Sequence, residues 1–203
     1  MRRVHLAVAA VALSVATLAA CSSDPSASAP SASPSPTPTP TPPSVVWAGD
    51  VCVARDDVKA AVGALGRNLS YDVTSDRSAI EQIDRQLRLQ VLSVADSADR
   101  LSTALQGVPV DFVAANDLIV TVTKAKGDTS DAVSQVTTSL DAAMSADNIL
   151  SGVAEAGKAL VAAKAAFEAG QVLVSTVVDA TSTASGELGD AFAAAPQCAG
   201  DGS

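Results

Sequence analysis

Few side chains in this chain can carry covalent or acid–base chemistry, and they are widely spaced. There are three cysteines, Cys21, Cys52 and Cys198, and one histidine, His5. His5 lies in an N-terminal apolar run that reads as a targeting segment, so the remaining chain has no imidazole. That absence removes histidine general acid/base catalysis, the usual nucleophilic triads and the commonest metal ligand. Carboxylate pairs do occur, as Asp56-Asp57, Asp96 with Asp99, and Asp128 with Asp131. Each pair reads as a solvated helix face or a first helical turn, where the dipole favours negative charge. None has the loop pattern of a calcium site, no thiolate or imidazole cluster suits zinc, and no glycine-rich phosphate loop appears. Lys124, Lys126, Lys158 and Lys164 read as solvent-facing, and Asn68-Leu69-Ser70 has the spacing of a glycosylation sequon. No catalytic residue, cofactor site or metal site is assigned, and the chain reads as a non-enzyme.

The thiol at Cys21 has the most specific context. Met1-Arg2-Arg3 is a short basic head, Val4 to Ala20 is almost wholly apolar, and Leu18-Ala19-Ala20 leads directly into Cys21. This is the layout of a secretory signal with a small-residue cleavage site. With a cysteine immediately after the cut, it resembles a bacterial lipoprotein signal, whose four-residue lipobox these positions match. The resemblance implies cleavage before Cys21 and diacylglycerol on its sulfur. An uncleaved anchor and an ordinary signal with a coincidental cysteine are the alternatives, and all three export the chain. The apolar run is at the short edge of what spans ~30 Å of hydrocarbon. The expected location is the extracytoplasmic face of the cell membrane, held by lipid.

Removing residues 1–20 takes Arg2 and Arg3 with it, so 11 basic residues face 22 acidic ones. Such an acidic chain repels phosphate backbones, and no basic cluster with interleaved aromatics occurs, so nucleic acid is excluded as a partner. Attraction to an anionic bilayer is excluded on the same ground. Membrane attachment then rests on acyl chains, of which two or three give stable anchoring.

Residues 21–44 form a tract dominated by Ser, Thr and Pro that holds eight of the ten prolines. A segment of this composition cannot bury apolar surface and is expected to be a disordered, extended spacer. At roughly 3.1 Å per residue it reaches up to ~70 Å. Its composition also fits a glycosylated stalk.

Residues 45–203 are expected to be a helical domain ending in a short disordered tail. The clearest helix covers residues 76–106. Ile80, Ile83, Leu87, Val91, Val94, Ala98, Leu101 and Leu105 follow alternating spacings of three and four, a heptad seam. Ser78 and Glu81 have capping-box spacing, three acid–base pairs stand four residues apart, and Gly107 with Pro109 stops the helix. A first helix is expected over 50–70, with Asp50 as N-cap and Val58, Val62, Leu65 and Leu69 on one face. A third begins at Asp111, with Phe112, Ala115, Ile119, Val122, Val133, Val136, Leu140 and Ala143 on its seam. Because the phase is kept across Gly127, one continuous helix is expected there. A fourth begins near Asp147 and carries Ile149, Val153, Ala156, Leu160, Ala163, Phe167, Gly170, Val174 and Val177. It extends through Thr181, Ala184, Leu188 and Phe192 until Pro196, with Gly186 and Gly189 weakening its end.

Four long amphipathic helices with short connections predict an all-α fold, an antiparallel up-down-up-down bundle. That topology returns the chain to its starting end. With Cys21 committed to lipid, Cys52 and Cys198 remain as an even pair in an oxidising compartment, one at the start of the first helix and one after the last. A disulfide between them is expected, with two free buried thiols as the alternative. Trp47, just ahead of the first helix, is expected to pack on the bundle end; ligand stacking is the alternative.

Trp47-Ala48 with Val51-Cys52, then Leu101 and Leu105-Gln106-Gly107-Val108-Pro109, then Ala195-Pro196-Gln197-Cys198, resemble a group of actinobacterial secreted and lipid-anchored helical proteins of unassigned function. Gln106, between Leu105 and Gly107, departs slightly from the pattern. The resemblance implies paired terminal cysteines and a helical domain, and supplies no catalytic residue and no substrate. The functional expectation is a non-enzymatic, lipid-anchored envelope module that contacts another envelope protein or a wall component. The alternative is a carrier of a small apolar ligand, with a cavity around Phe112, Phe167 and Gly170. The sequence sets no oligomeric state.

Overall fold

The structure, a computed structural model, describes residues 40–67, 69 and 77–202. The signal segment with Leu18, Ala19, Ala20 and Cys21, the linker up to residue 39, and Asn68 and Ser70 of the sequon lie outside the described residues. Among the described residues the chain is all-α and has no strand. The four long helices are α1 (Pro43–Arg67), α2 (Arg77–Gln106), α3 (Asn116–Met144) and α4 (Ile149–Ser182); α5 (Gly186–Ala194) is short. A 3-10 turn at Val113–Ala115 leads into α3, and another at Pro196–Gly202 follows α5.

Consecutive long helices pack side by side, and α4 returns against α1, closing the bundle. The direction of packing is read from side-chain pairs. Asp57 on α1 meets Arg100 on α2 at 3.4 Å, Asp99 on α2 meets Lys126 on α3 at 2.8 Å, and Arg88 on α2 meets Asp141 on α3 at 2.9 Å. The two α2–α3 pairs run in opposite order along their helices, and Gly66 beside Phe167 with Gly170 beside Val62 shows the same antiparallel sense for α1 and α4.

α2 is the element in which propensity, pattern and packing agree most closely. All eight expected seam residues are buried. Arg88 bonds Asp84 at 2.7 Å and Arg100 bonds Asp96 at 2.7 Å, both i,i+4 pairs in the favourable orientation. The Gly107 N–H donates to the carbonyls of Thr103 and Ala104, and Val108 to Leu105, which closes the last turn before Pro109. The helix begins at Arg77, so Ser78 lies inside the first turn rather than ahead of it.

α1 differs from expectation at its start. It begins at Pro43, and Asp50 is an exposed residue within the helix, not its N-cap. The Pro42 carbonyl accepts from Val45 at 3.0 Å and Val46 at 3.2 Å, and Pro43 occupies the first helical position, where its fixed φ and missing N–H cost nothing. Trp47, Val51, Ala54, Val58, Ala61 and Leu65 then form one buried seam. The helix starts early because that seam starts at Trp47, not at Val58.

α3 is continuous through Gly127, as the kept phase predicts. Its upper seam runs through Leu118, Val122 and Ala125, so Ile119 sits on the flank, one residue from where the spacing places it. Thr129 is buried and donates its hydroxyl to the Ala125 carbonyl at 3.0 Å, which satisfies a polar group on the core face.

α4 opens on Asn148, whose side chain accepts from the Ser151 N–H at 2.9 Å. Its buried line is Gly152, Ala156, Ala159, Ala163, Ala166, Gly170, Leu173 and Val177. The larger Val153, Leu160, Phe167 and Val174, expected on the seam, are half-buried shoulders beside it. Small central residues bring α4 close to its neighbours. A Cβ on Gly170 would stand 2.5 Å from Val62 Cγ2, and one on Gly66 would stand 2.5 Å from the Phe167 ring. α4 also reaches α2 across the diagonal, whereas α1 and α3 do not meet. The expected extension into Thr181–Phe192 is interrupted. Gly186, at φ +61°, takes a left-handed conformation that starts α5 as a separate helix.

Candidate functional site

Sequence reasoning singled out two cysteines, an isolated Trp and a few aromatic positions, and the bundle gathers several of them at one end. Cys52, buried on α1, is disulfide-bonded to Cys198 in the final 3-10 turn, with Cα atoms 5.3 Å apart and 146 residues between them in sequence. Beside it, Trp47 packs edge-on to Phe112 at 5.6 Å and at a tilt to Phe192 at 5.7 Å between ring centroids. One aromatic comes from α1, one from the turn before α3 and one from α5, so the trio ties three separate segments together. Such pairs contribute about 0.5–1.5 kcal/mol each beyond their buried area. Trp47 is buried and has no open ring face for a ligand. It is a packing anchor.

Phe112, Phe167 and Gly170 do not converge. Phe112 lies at the Trp47 end of α1, whereas Phe167 packs on Gly66, near the other end of that helix. Trp47 and Gly66 are 19 residues apart on one helix, roughly 28 Å. The cavity expected around this trio is not formed. Phe167 instead joins Val62, Val174 and Val178 in the floor of an open groove of about 500 Å³ between α1 and α4, with Lys59 and Asp179 among its polar residues. A second open cleft, about 410 Å³, lies beside the disulfide and includes Arg55, Ser185, Asp190 and Cys198. The largest groove, about 770 Å³, runs between α3 and α4 on the outside of the bundle. The most enclosed space, between Ile80, Ala143 and Gly152, measures about 10 Å³, near the minimum volume that admits one water.

Several charged residues pair with each other. Buried Arg55 bonds Asp56 through Nε at 3.2 Å and Nη2 at 3.0 Å. Arg100 is shared by Asp57 and Asp96, Lys126 is held by Asp99, and Lys158 bonds Glu155 at 2.7 Å. The hydrogen bonds that Arg88 donates to Asp84 and to Asp141 hold its guanidinium above its ordinary pKa, against an opposing effect of burial. Among the described residues no three His, Cys, Asp or Glu side chains converge as a metal site requires.

One feature escaped the heptad reading: the side of α4 that faces away from the core. An 18-residue window of α4 has a mean hydropathy of 1.3, apolar and long enough to cross a membrane, yet only 33% of it is buried. Its inner face packs in the bundle core. Its outer face nevertheless carries Leu150, Val161 and Val172, at 74%, 72% and 57% exposure. The signal that could have found this was available, since Leu150, Val161 and Val172 are large apolar residues that fall off the heptad seam. Comparison of the chain with protein-family models, curated proteins and solved structures gave no match.

Proposed function

We propose that this protein is a lipid-anchored, non-enzymatic module of an actinobacterial envelope, whose helical domain contacts another protein or a wall component. The lipid on Cys21 supplies the tether, the Ser/Thr/Pro tract supplies reach, and the bundle supplies the contact surface. The observation that carries the interaction reading is the distribution of apolar surface. The seam of the bundle is sealed, while Leu150, Val161 and Val172 remain exposed on α4, Val161 within the groove between α3 and α4. Surface of this kind marks interaction sites more often than it marks catalysis. The Cys52–Cys198 bond supports an oxidising, exported compartment.

The alternative, a carrier of a small apolar ligand, has one supporting feature, the groove floored by Val62, Phe167 and Val174. Its openness speaks against a carrier, because such sites bury most of the ligand surface. In-situ crosslinking of the anchored protein followed by mass spectrometry separates the two readings. A reproducible protein or wall adduct supports the interaction module, and recovery of lipid alone overturns it. Anchoring is tested separately by metabolic labelling with a radiolabelled fatty acid. Label is expected on the native chain and absent from Cys21→Ser; a native chain without label refutes the anchor.

A further inference from the structure

The chain after α4 is laid over one end of a bundle that closes without it. α1 and α4 meet directly, with Gly66 under Phe167 and Gly170 under Val62. Residues 183–185 have no regular structure, and Gly186, at φ +61°, redirects the chain. α5 and the final 3-10 turn then rest mainly on α1, and α5 touches α4 only slightly. Three contacts seat this segment. Phe192 lies on Trp47 with ring centroids 5.7 Å apart. Gln197 fills a notch over Gly49, where a Cβ would stand 2.6 Å from Gln197 Oε1. Cys198 is bonded to Cys52.

Without that bond the seat is weak. α5 has nine residues, two of them glycine, and no side-chain cap on its first turn, so it is too short to persist unsupported. Of its side chains only Ala191 and Phe192 are buried. Closure also works against itself at Trp47, whose Nε1 is buried with no hydrogen-bond partner. A donor held in that way disfavours the closed form relative to one that water reaches. The bond itself can be reached from one side. Cys52 is 1% exposed, whereas Cys198 is half-buried and lines the open cleft of about 410 Å³.

We infer that residues 186–200 are a clasp latched by Cys52–Cys198, and that a dithiol reductant opens it, exposing Trp47 while the four-helix bundle stays folded. One thiolate of the dithiol attacks the Cys198 sulfur from the cleft. The Cys52–Cys198 bond breaks, and its electron pair leaves on the Cys52 sulfur, which takes up a proton. The second thiol then attacks the mixed disulfide, releasing Cys198 as a thiol and the reagent as its own disulfide. Two electrons and two protons pass from the dithiol to the protein. The clasp turns away about Gly186, and the Trp47 N–H gains water as a partner. Opening of this kind is sub-global, confined to the segment with the fewest buried contacts.

Trp47 is the only tryptophan in the chain, so its fluorescence reads the clasp directly. The chain from residue 21 onward, with Cys21→Ser removing the competing thiol, is treated with dithiothreitol, and its free thiols are counted by mass after alkylation. Reduction is expected to shift the Trp47 emission to longer wavelength and to raise its quenching by acrylamide at least threefold. The far-UV helix signal is expected to fall by no more than the share of α5, and reoxidation to restore all three readings. The same chain carrying Cys52→Ser and Cys198→Ser is expected to show the open signature before dithiothreitol is added and no change after. Reduced protein, or the double variant, with Trp47 as protected as in the oxidised chain overturns the proposal, because the clasp then holds without its latch. Loss of most of the helix signal on reduction also overturns it, because the bundle then depends on the bond. So does a bond that dithiothreitol reduces only in denaturant.

Discussion

α4 has two faces built to nearly the same recipe, and they behave in opposite ways. The inner face repeats Gly and Ala along Gly152, Ala156, Ala159, Ala163, Ala166 and Gly170, all buried. The outer face repeats Ala154, Gly157 and Ala165 around Val161, and is open. Spacing alone does not distinguish them. The difference is cover: α1, α2 and α3 all pack on the inner face, where a Cβ on Gly170 would stand 2.5 Å from Val62. On the outer face an added methylene meets solvent. The lesson is that small-residue periodicity identifies surfaces where helices can come close, and only the surrounding chain decides whether that has happened within the domain.

Changes that release or crowd the inner face should cost stability, and matched changes on the outer face should not. The largest effect is expected from the disulfide, which fastens the segment after α5 to α1. Replacing Cys52 and Cys198 together by Ser opens a 146-residue loop and is expected to cost roughly 4–5 kcal/mol in the chain-entropy account. Urea titration measures this, and an unchanged midpoint would show that the clamp contributes nothing. Trp47→Ala, at the same end, is expected to cost about 3–4 kcal/mol, because it removes a buried aromatic and both of its ring contacts. Thermal melts would contradict this if Tm fell no further than for a surface substitution.

The direct comparison of faces comes next in size. Gly170→Leu forces atoms against Val62 and is expected to cost about 1–3 kcal/mol. Ala165→Leu, on the outer face of the same helix, is expected to stay within about 0.5 kcal/mol of the parent. Equal losses from the two would remove the distinction between the faces. The smallest effect is expected from Asp141→Ala. Arg88 keeps its bond to Asp84 at 2.7 Å, so the partly exposed pair with Asp141 contributes no more than about 1 kcal/mol. A larger loss in a salt-dependence series would show a coupled network.

How far the sequence reveals this molecule depends on where side-chain size and side-chain phase agree. In α2 they agree: the large residues are also the central ones, and its eight-residue seam was legible complete. In α4 they conflict. Val153, Leu160 and Phe167 are the bulkier candidates, but the central line passes one residue earlier, through Gly152, Ala159 and Ala166. Both lines share Ala156, Ala163, Gly170 and Val177, which lie between the two alternatives. The start of α1 was missed for another reason. The Pro-rich tract looks like linker up to Ser44, yet its final proline is a good first helical residue and Trp47 has a core to enter. The disulfide was legible from parity and topology together. The aromatic trio was not, because Phe192 reaches Trp47 only after the chain breaks at Gly186 and turns back as α5.

The account stands or falls on the outer face of α4 being occupied when the protein is in place. A photo-activated crosslinking amino acid at Val161, in the full-length protein expressed in its own envelope, tests this most directly, with the same group at Leu89 as control. The expected result is a discrete protein or wall adduct at position 161, and no discrete adduct at position 89. No adduct at 161, or the same diffuse pattern at both positions, would contradict the claim that this face is an interface.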